Sequence, residues 1–269
     1  MSLYAQSFGA GPDIVLLHGW GLHAGVWIEV AQQLATRFRI TLIDLPGHGR
    51  SVPMHVNMDD DYSLQSVAAR VVEAAPPHAV WLGWSLGGMV AMHAAMSSAM
   101  LSERLAVPPR VKALILVAST PQFVRDADWP YAMELPVLES FAQALQENHA
   151  QTLQRFLALQ TRGAAQGQDT LRRLRSAVMQ YPPQPEALQG GLAILRDTRL
   201  RPCLHQITCP VQIVLGERDT LVPREVGPIL QPQMNDARLQ VIAGAGHAPF
   251  LSHPMQFIRC ISEFLDELR

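Results

Sequence analysis

Three side chains far apart in this chain are of the types that together perform acyl transfer: a serine, a histidine and an acid. Ser85 lies in Gly83-Trp84-Ser85-Leu86-Gly87, a G-x-S-x-G pattern, with the apolar run AVWLGWS leading into it and LGGMVAMHAAMSS following. A serine at a sharp strand-to-helix turn has its hydroxyl lifted clear of the backbone, and small residues two before and two after it let strand and helix approach without clash. Serine is a weak nucleophile at its free pKa and needs a base within hydrogen-bond reach. In this arrangement the partners follow in the order serine, acid, histidine. That order selects Asp219, in GERDTLVP after the strand PVQIVLG, and His247, in GAGHAPFLSHP after the strand VIAG. Both sit just past strand ends, where open parallel sheets carry their working residues. Asp219 would hold the imidazole tautomer whose other nitrogen takes the serine proton.

Other residues compete for these roles. Glu217 is two residues from Asp219 and is a rival acid. His18 precedes a glycine-rich loop and reads as structural, His48 comes before the serine in chain order, and His253 stands at a capping position ahead of the last helix. For the developing oxyanion, one donor is expected from the N–H of Leu86, at the helix start where free N–H groups and a partial positive charge converge. The second is expected from Trp20, whose flanking Gly19 and Gly21 let the backbone turn its N–H toward the site. The Trp20 ring reads either as a pocket wall or as core, and Trp84 as core. Cys203, Cys209 and Cys260 make no C-x-x-C pair and read as reduced thiols. The chemistry calls for no metal or cofactor.

The elements that must position these residues alternate. DIVLLHG, RITLIDL, AVWLGWS and RVKALILVAS read as strands with consecutive apolar residues, buried on both faces. Helical patterns fall between them, over Ala24 to about Thr36, Leu64 to Ala74 and from Leu86, with MLSERLAVPP read as an extended loop. This alternation predicts a mostly parallel sheet with helices on both faces. From about Pro121 to Arg201 only helical periodicities appear, in VLESFAQALQEN, QTLQRFLALQTR, DTLRRLRSAVMQ and PEALQGGLAILRD. Strands return at CPVQIVLGERD and ARLQVIAG, and the amphipathic PMQFIRCISEFLDEL closes the chain. The expected organisation is one α/β core, residues 1–120 and 202–269, with a helical lid, 121–201, too long for a plain loop.

Composition narrows the function classes. The 269 residues suit one α/β domain with an insertion, and 48% apolar residues suffice to cover both faces of a sheet. A formal charge of −2 gives no global field for nucleic acid or an anionic membrane. MSLYAQSFGAGPD has neither the basic nor the apolar region of a signal peptide. No apolar run reaches the roughly 18 residues that span a bilayer. The expectation is a soluble, cytoplasmic monomer without nucleic-acid or membrane partners.

LLHGWGLHAGVW, LIDLPGHGRS, WLGWSLGGMVA, RFLALQTRG, GGLAIL and AGHAPFLSHP together resemble the pimeloyl-acyl-carrier-protein methyl ester esterases of biotin synthesis, carboxylesterases of the α/β-hydrolase fold. The likeness runs through nearly the whole chain. Its core motifs are common to many α/β-hydrolases, whereas HGWG, GWSLGG, RFLALQ and HAPFLSHP in one chain are more specific. The resemblance implies cleavage of a methyl ester on a pimeloyl chain borne by an acyl-carrier protein, giving methanol and the free carboxylate. It carries substrate contacts onto Trp20, Ser85, Leu86, Phe156, Leu157, Ala158, Leu159, Gln160 and His247, and a carrier contact onto Arg155. A second arginine position of the family is Gln151 here, and Arg172, Arg173 and Arg175 are further candidates. From Gln151 to Tyr181 there are five arginines and one acid, Asp169, and Arg155 and Arg162, seven apart, share a helix face. A solvated surface would carry the same charges. Competing readings are a broad short-chain carboxylesterase, a serine C–C hydrolase and, from another class, a hydrolase-fold ligand receptor.

Overall fold

The computed structural model describes residues 2–53 and 62–268, and all structural statements concern these. Seven strands form one sheet in the order β1-β3-β2-β4-β5-β6-β7: β1 Ala5–Gly9, β2 Asp13–Leu17, β3 Arg39–Ile43, β4 Ala79–Trp84, β5 Val111–Val117, β6 Val211–Gly216 and β7 Ala237–Ile242. β2 through β7 pair in parallel, as the apolar runs predict, with β2 in register with β3 from Asp13↔Arg39 to Leu17↔Ile43. β1 pairs antiparallel with β3 at the sheet edge. It has no apolar run to announce it, because AQSFG lies largely exposed.

The helices of the core are α1 Ile28–Leu34, α2 Leu64–Ala74 and α3 Leu86–Leu105, then, after β6, α8 Val226–Leu230, α9 Pro249–Ser252 and α10 Pro254–Glu267. A 3-10 turn, Ala24–Trp27, leads into α1. α3 is longer than expected. Its last two turns take in MLSERL, expected from sequence to be an extended loop, and it ends only at Ala106, in the left-handed conformation. Met, Leu, Glu and Arg are good helix formers, so the helix continues until just before Pro108-Pro109.

Between β5 and β6 lie α4 Leu135–Glu147, α5 His149–Gln160, α6 Gly167–Gln180 and α7 Pro185–Asp197, with no strand, only isolated bridges at Val124↔Met133 and Asp126↔Trp129. Pro at the first turns of α4 and α7 suits helix starts, where an N–H is unsatisfied anyway. α4 packs on α5 and α7, and α5 on α6. The group is tied to the core at named points. Arg173 donates to the Leu251 carbonyl (2.7 Å) and pairs with Glu29 (2.5 Å). His23 donates to the Ala177 carbonyl (2.9 Å), and the Trp20 indole N–H to the Leu188 carbonyl (2.9 Å). Beneath these ties the core is aromatic: Trp27 stacks on Phe250 with ring centroids 3.9 Å apart, and Trp84 meets Phe250 edge-on.

Candidate active site

Ser85 is the junction between β4 and α3, and its backbone has φ +55° and ψ −118°. That conformation costs a non-glycine residue about 1–3 kcal/mol and persists only where surroundings over-determine it. Here the Ser85 N–H donates to the Val117 carbonyl (3.0 Å), and the Ser85 carbonyl accepts from the Ser119 hydroxyl (2.8 Å). The turn is too tight for side chains on either flank. A Cβ on Gly83 would lie 2.4 Å from the Gly87 carbonyl oxygen, and one on Gly87 2.5 Å from that of His18. The two glycines of the motif are therefore steric requirements of the bend.

Asp219 follows β6 and His247 follows β7, so adjacent parallel strands deliver both to the same sheet edge. Asp219 Oδ1 accepts from the N–H groups of Leu221 (2.8 Å) and Val222 (3.0 Å), while Oδ2 accepts Nδ1–H of His247 at 2.8 Å. The carboxylate has no proton to give, so Nδ1 carries the hydrogen and Nε2 keeps its lone pair. Nε2 is buried and makes no hydrogen bond, to the Ser85 hydroxyl or to any other described group. The backbone of His247 is held on both sides: its N–H donates to the Gln160 carbonyl of α5 (3.1 Å), and its carbonyl accepts from the Trp84 indole (2.7 Å). Ser85, Asp219 and His247 are only 3%, 6% and 1% exposed, so the site is closed to solvent.

The N–H groups of Trp20 and Leu86 form no hydrogen bond among the described residues, and both residues are buried. The Trp20 ring meets Phe156 of α5 edge-on with centroids 4.7 Å apart, and Phe156 in turn meets Phe141 of α4 at 6.2 Å. Phe156, Leu157 and Gln160 are buried, Leu159 is half-buried and Ala158 is exposed. The amide oxygen of Gln160 is buried without a partner.

The rivals are engaged elsewhere. Glu217 accepts from the Gly244 N–H (2.9 Å) and faces Arg224. His253 occupies the N-cap of α10, but its ring bonds Ser252 and caps nothing. His18 and His48 are buried side by side with centroids 5.2 Å apart. Burial lowers both: His18 falls well below the usual imidazole range and His48 to about 4, so both are neutral near pH 7. Of the arginines, Arg173 is spent on Glu29 and Leu251, which removes it from the exposed set. Arg172 pairs with Asp169 (2.8 Å), and Arg155, Arg162 and Arg175 are exposed.

Two contributors carry no sequence signal. Trp84 reads as plain core, yet it fixes the His247 carbonyl. Asp44, after β3, accepts from the N–H groups of Ala24 (2.7 Å) and Arg50 (2.9 Å), bracing the loops around the glycine-rich turn. Among the described residues no His, Cys, Asp and Glu cluster suits a metal ion, and no helix is long and apolar enough to cross a membrane.

Residues 14–259 match the model of the alpha/beta hydrolase family. The chain is 42% identical over 266 residues to the pimeloyl-[acyl-carrier protein] methyl ester esterase of Chromobacterium violaceum, covering 99% of each chain. It is 43% identical to the protein of that name from Edwardsiella ictaluri, covering 98% of each. Among solved structures it is similar to an esterase from Exiguobacterium antarcticum, with a TM-score of 0.84, 21% identity and coverage of 98% of this chain and 95% of that one. A hydrolase from Oleispira antarctica gives a TM-score of 0.83 at 19% identity, covering 97% and 94%.

Proposed function

The chain belongs to the alpha/beta hydrolase family and, within it, to the pimeloyl-[acyl-carrier protein] methyl ester esterases; from that membership we propose that it hydrolyses the methyl ester of pimeloyl-acyl-carrier protein in biotin synthesis. The observation that carries the chemistry is the imidazole of His247, fixed by Asp219 at Nδ1 and bearing a free buried Nε2, with the elbow serine likewise buried.

In this mechanism Ser85 attacks the ester carbonyl while Nε2 of His247 takes its proton. The imidazolium is stabilised by Asp219, which stays ionised. The oxyanion is received by the N–H groups of Trp20 and Leu86, each worth ~3 kcal/mol of transition-state stabilisation. His247 then protonates the departing methoxide, and water repeats the cycle on the acyl-enzyme to release pimeloyl-acyl-carrier protein. No step calls on a metal or cofactor.

Residues 121–201 act as the lid over a core of 1–120 and 202–269. Trp20, Phe156 and Gln160 face the acyl chain, with Leu157, Ala158 and Leu159 on the same segment. The exposed Arg155, Arg162, Arg172 and Arg175 meet the acidic carrier. The protein works as a cytoplasmic monomer.

The test is growth without biotin in a strain lacking the esterase: the chain restores it and Ser85→Ala does not. In vitro, Ser85→Ala lowers kcat on the order of 10⁶-fold, as for other triads. Substantial turnover by that variant refutes the nucleophile. Equal kcat/KM on short p-nitrophenyl esters and on the carrier conjugate points instead to a broad carboxylesterase. Cleavage of a vinylogous diketone in preference to esters marks a C–C hydrolase, and a single slow turnover with ligand retained marks a receptor.

A further inference from the structure

We infer that His18 and His48 are positioning residues for the oxyanion donor: as a tautomer-locked pair they fix the two peptide planes on either side of Trp20. The Gly19 carbonyl and the Trp20 N–H belong to one planar trans peptide and point in opposite directions. His18 donates Nδ1–H to that carbonyl at 2.8 Å. Anchoring the oxygen on the imidazole therefore aims the N–H the other way. On the next peptide plane, the Gly21 N–H donates to Nε2 of His48 at 3.3 Å. The plane before Trp20 is held by the His18 ring, with a longer bond from the Leu22 N–H to the same carbonyl (3.4 Å), and the plane after it by the His48 ring.

Each ring is held in the tautomer this requires. The Leu45 N–H donates to Nε2 of His18 (2.9 Å), which forces the hydrogen onto Nδ1. The Pro46 carbonyl accepts Nδ1–H of His48 (2.9 Å), which leaves Nε2 as the acceptor. Leu45 and Pro46 are consecutive, so one short segment after β3 sets both tautomers. The charged and titratable groups facing the pair are Asp44, whose carboxylate favours protonation of His48, and His23, which opposes protonation of both. Desolvation is the largest influence on either ring and keeps both neutral. A proton on Nε2 of either ring would set donor against donor at Leu45 or Gly21.

The inference rests on the esterase reading, but its failure is separable from it. Substantial turnover by Ser85→Ala refutes the serine mechanism on which the esterase reading rests, whereas a fully active His48→Leu refutes only the role of the pair. The experiment compares His18→Leu, His18→Asn, His48→Leu and His48→Gln on a p-nitrophenyl ester. Each enzyme is also titrated with a trifluoromethyl ketone, which adds Ser85 to form an oxyanion, and with the product carboxylate, which does not. Asn places an N–H near the position of Nδ1, and Gln an oxygen near that of Nε2.

The leucine variants should lose about ten- to a hundredfold in kcat with KM little changed, less than the 10²–10³ for outright loss of a donor. Ketone affinity should fall in step while product affinity holds, and His18→Asn and His48→Gln should recover at least about tenfold. Leucine variants with unchanged kcat, or with ketone and product affinity lost equally, overturn the inference. Should a leucine variant not fold, His18→Gln against His18→Asn decides for His18, and His48→Asn against His48→Gln for His48. The member whose amide cannot reach the required atom must be the slower, and equal rates overturn the inference.

Discussion

Replacing Asp219 by Asn should abolish most turnover while leaving the fold intact, because the site dictates which way the new amide faces. Asp219 Oδ1 receives two backbone N–H groups, from Leu221 and Val222, and Oδ2 receives one ring N–H from His247. An asparagine keeps its oxygen where the two backbone donors point. The opposite orientation would set an NH₂ against both of them, at about 1–3 kcal/mol for each buried donor left unsatisfied. The orientation with two satisfied donors wins, so the amide NH₂ faces His247 and can only donate. Nδ1 must then accept, the ring proton moves to Nε2, and the lone pair that should take the serine proton is lost. A tautomer error of this kind costs about 10⁴ in kcat in a serine protease, or ~5.5 kcal/mol in the barrier. The assay is kcat on a p-nitrophenyl ester with the melting temperature recorded alongside. The expected result is a fall of about 10⁴ with a melting temperature within a few degrees of the parent. Asp219→Asn within tenfold of the parent would refute the assignment of Asp219 as the group that sets the tautomer.

Trp84→Phe keeps the edge-on contact with Phe250 but strands the His247 carbonyl; it should cost about 1–3 kcal/mol of stability by chemical denaturation and lower kcat more than it raises KM. The neutral His18 and His48 make the fold acid-sensitive. The folded-state value of His48, about 4, lies below the unfolded 6.5, so between about 6.5 and 4 the unfolded chain binds more protons there; that contribution is complete above this window and is lost as pH falls through it, and His18, lowered by burial in the same direction, adds to the loss. His48 alone contributes about 3 kcal/mol over that interval, checked by urea unfolding of the parent and His48→Gln at pH 7 and pH 4.5. Arg155→Glu, exposed on α5, should raise KM for the carrier-borne ester several-fold and leave kcat/KM for a p-nitrophenyl ester unchanged; equal effects on both substrates would place Arg155 outside carrier contact.

The sheet was legible because burial on both faces writes itself as consecutive apolar residues, as in DIVLL and VKALILV. α2 and α7 match their periodic patterns to the residue. β1 escaped because an exposed edge strand needs no such run. The end of α3 escaped because Pro108-Pro109 suggests a stop, while the helix formers before it carry the helix to the left-handed Ala106. At the site, the positions of Ser85, Asp219 and His247 follow from turns at strand ends, which are local in sequence. The orientation of His247 does not. It depends on Trp84, 163 residues away, and on a backbone carbonyl of Gln160, whose side-chain type is irrelevant to that bond. His18 and His48 carry the same difficulty, since their tautomers are set by the backbone of Leu45 and Pro46.

The indole of Trp20 bonds to Leu188 on α7, while the backbone of the same residue is the candidate oxyanion donor. Any displacement of α7 from the core must break that bond, whereas the Gly19 carbonyl and the Gly21 N–H keep their own bonds to His18 and His48. One side chain thereby couples the helices between β5 and β6 to the turn from which an oxyanion donor is expected, while the backbone of that turn is anchored from the core side.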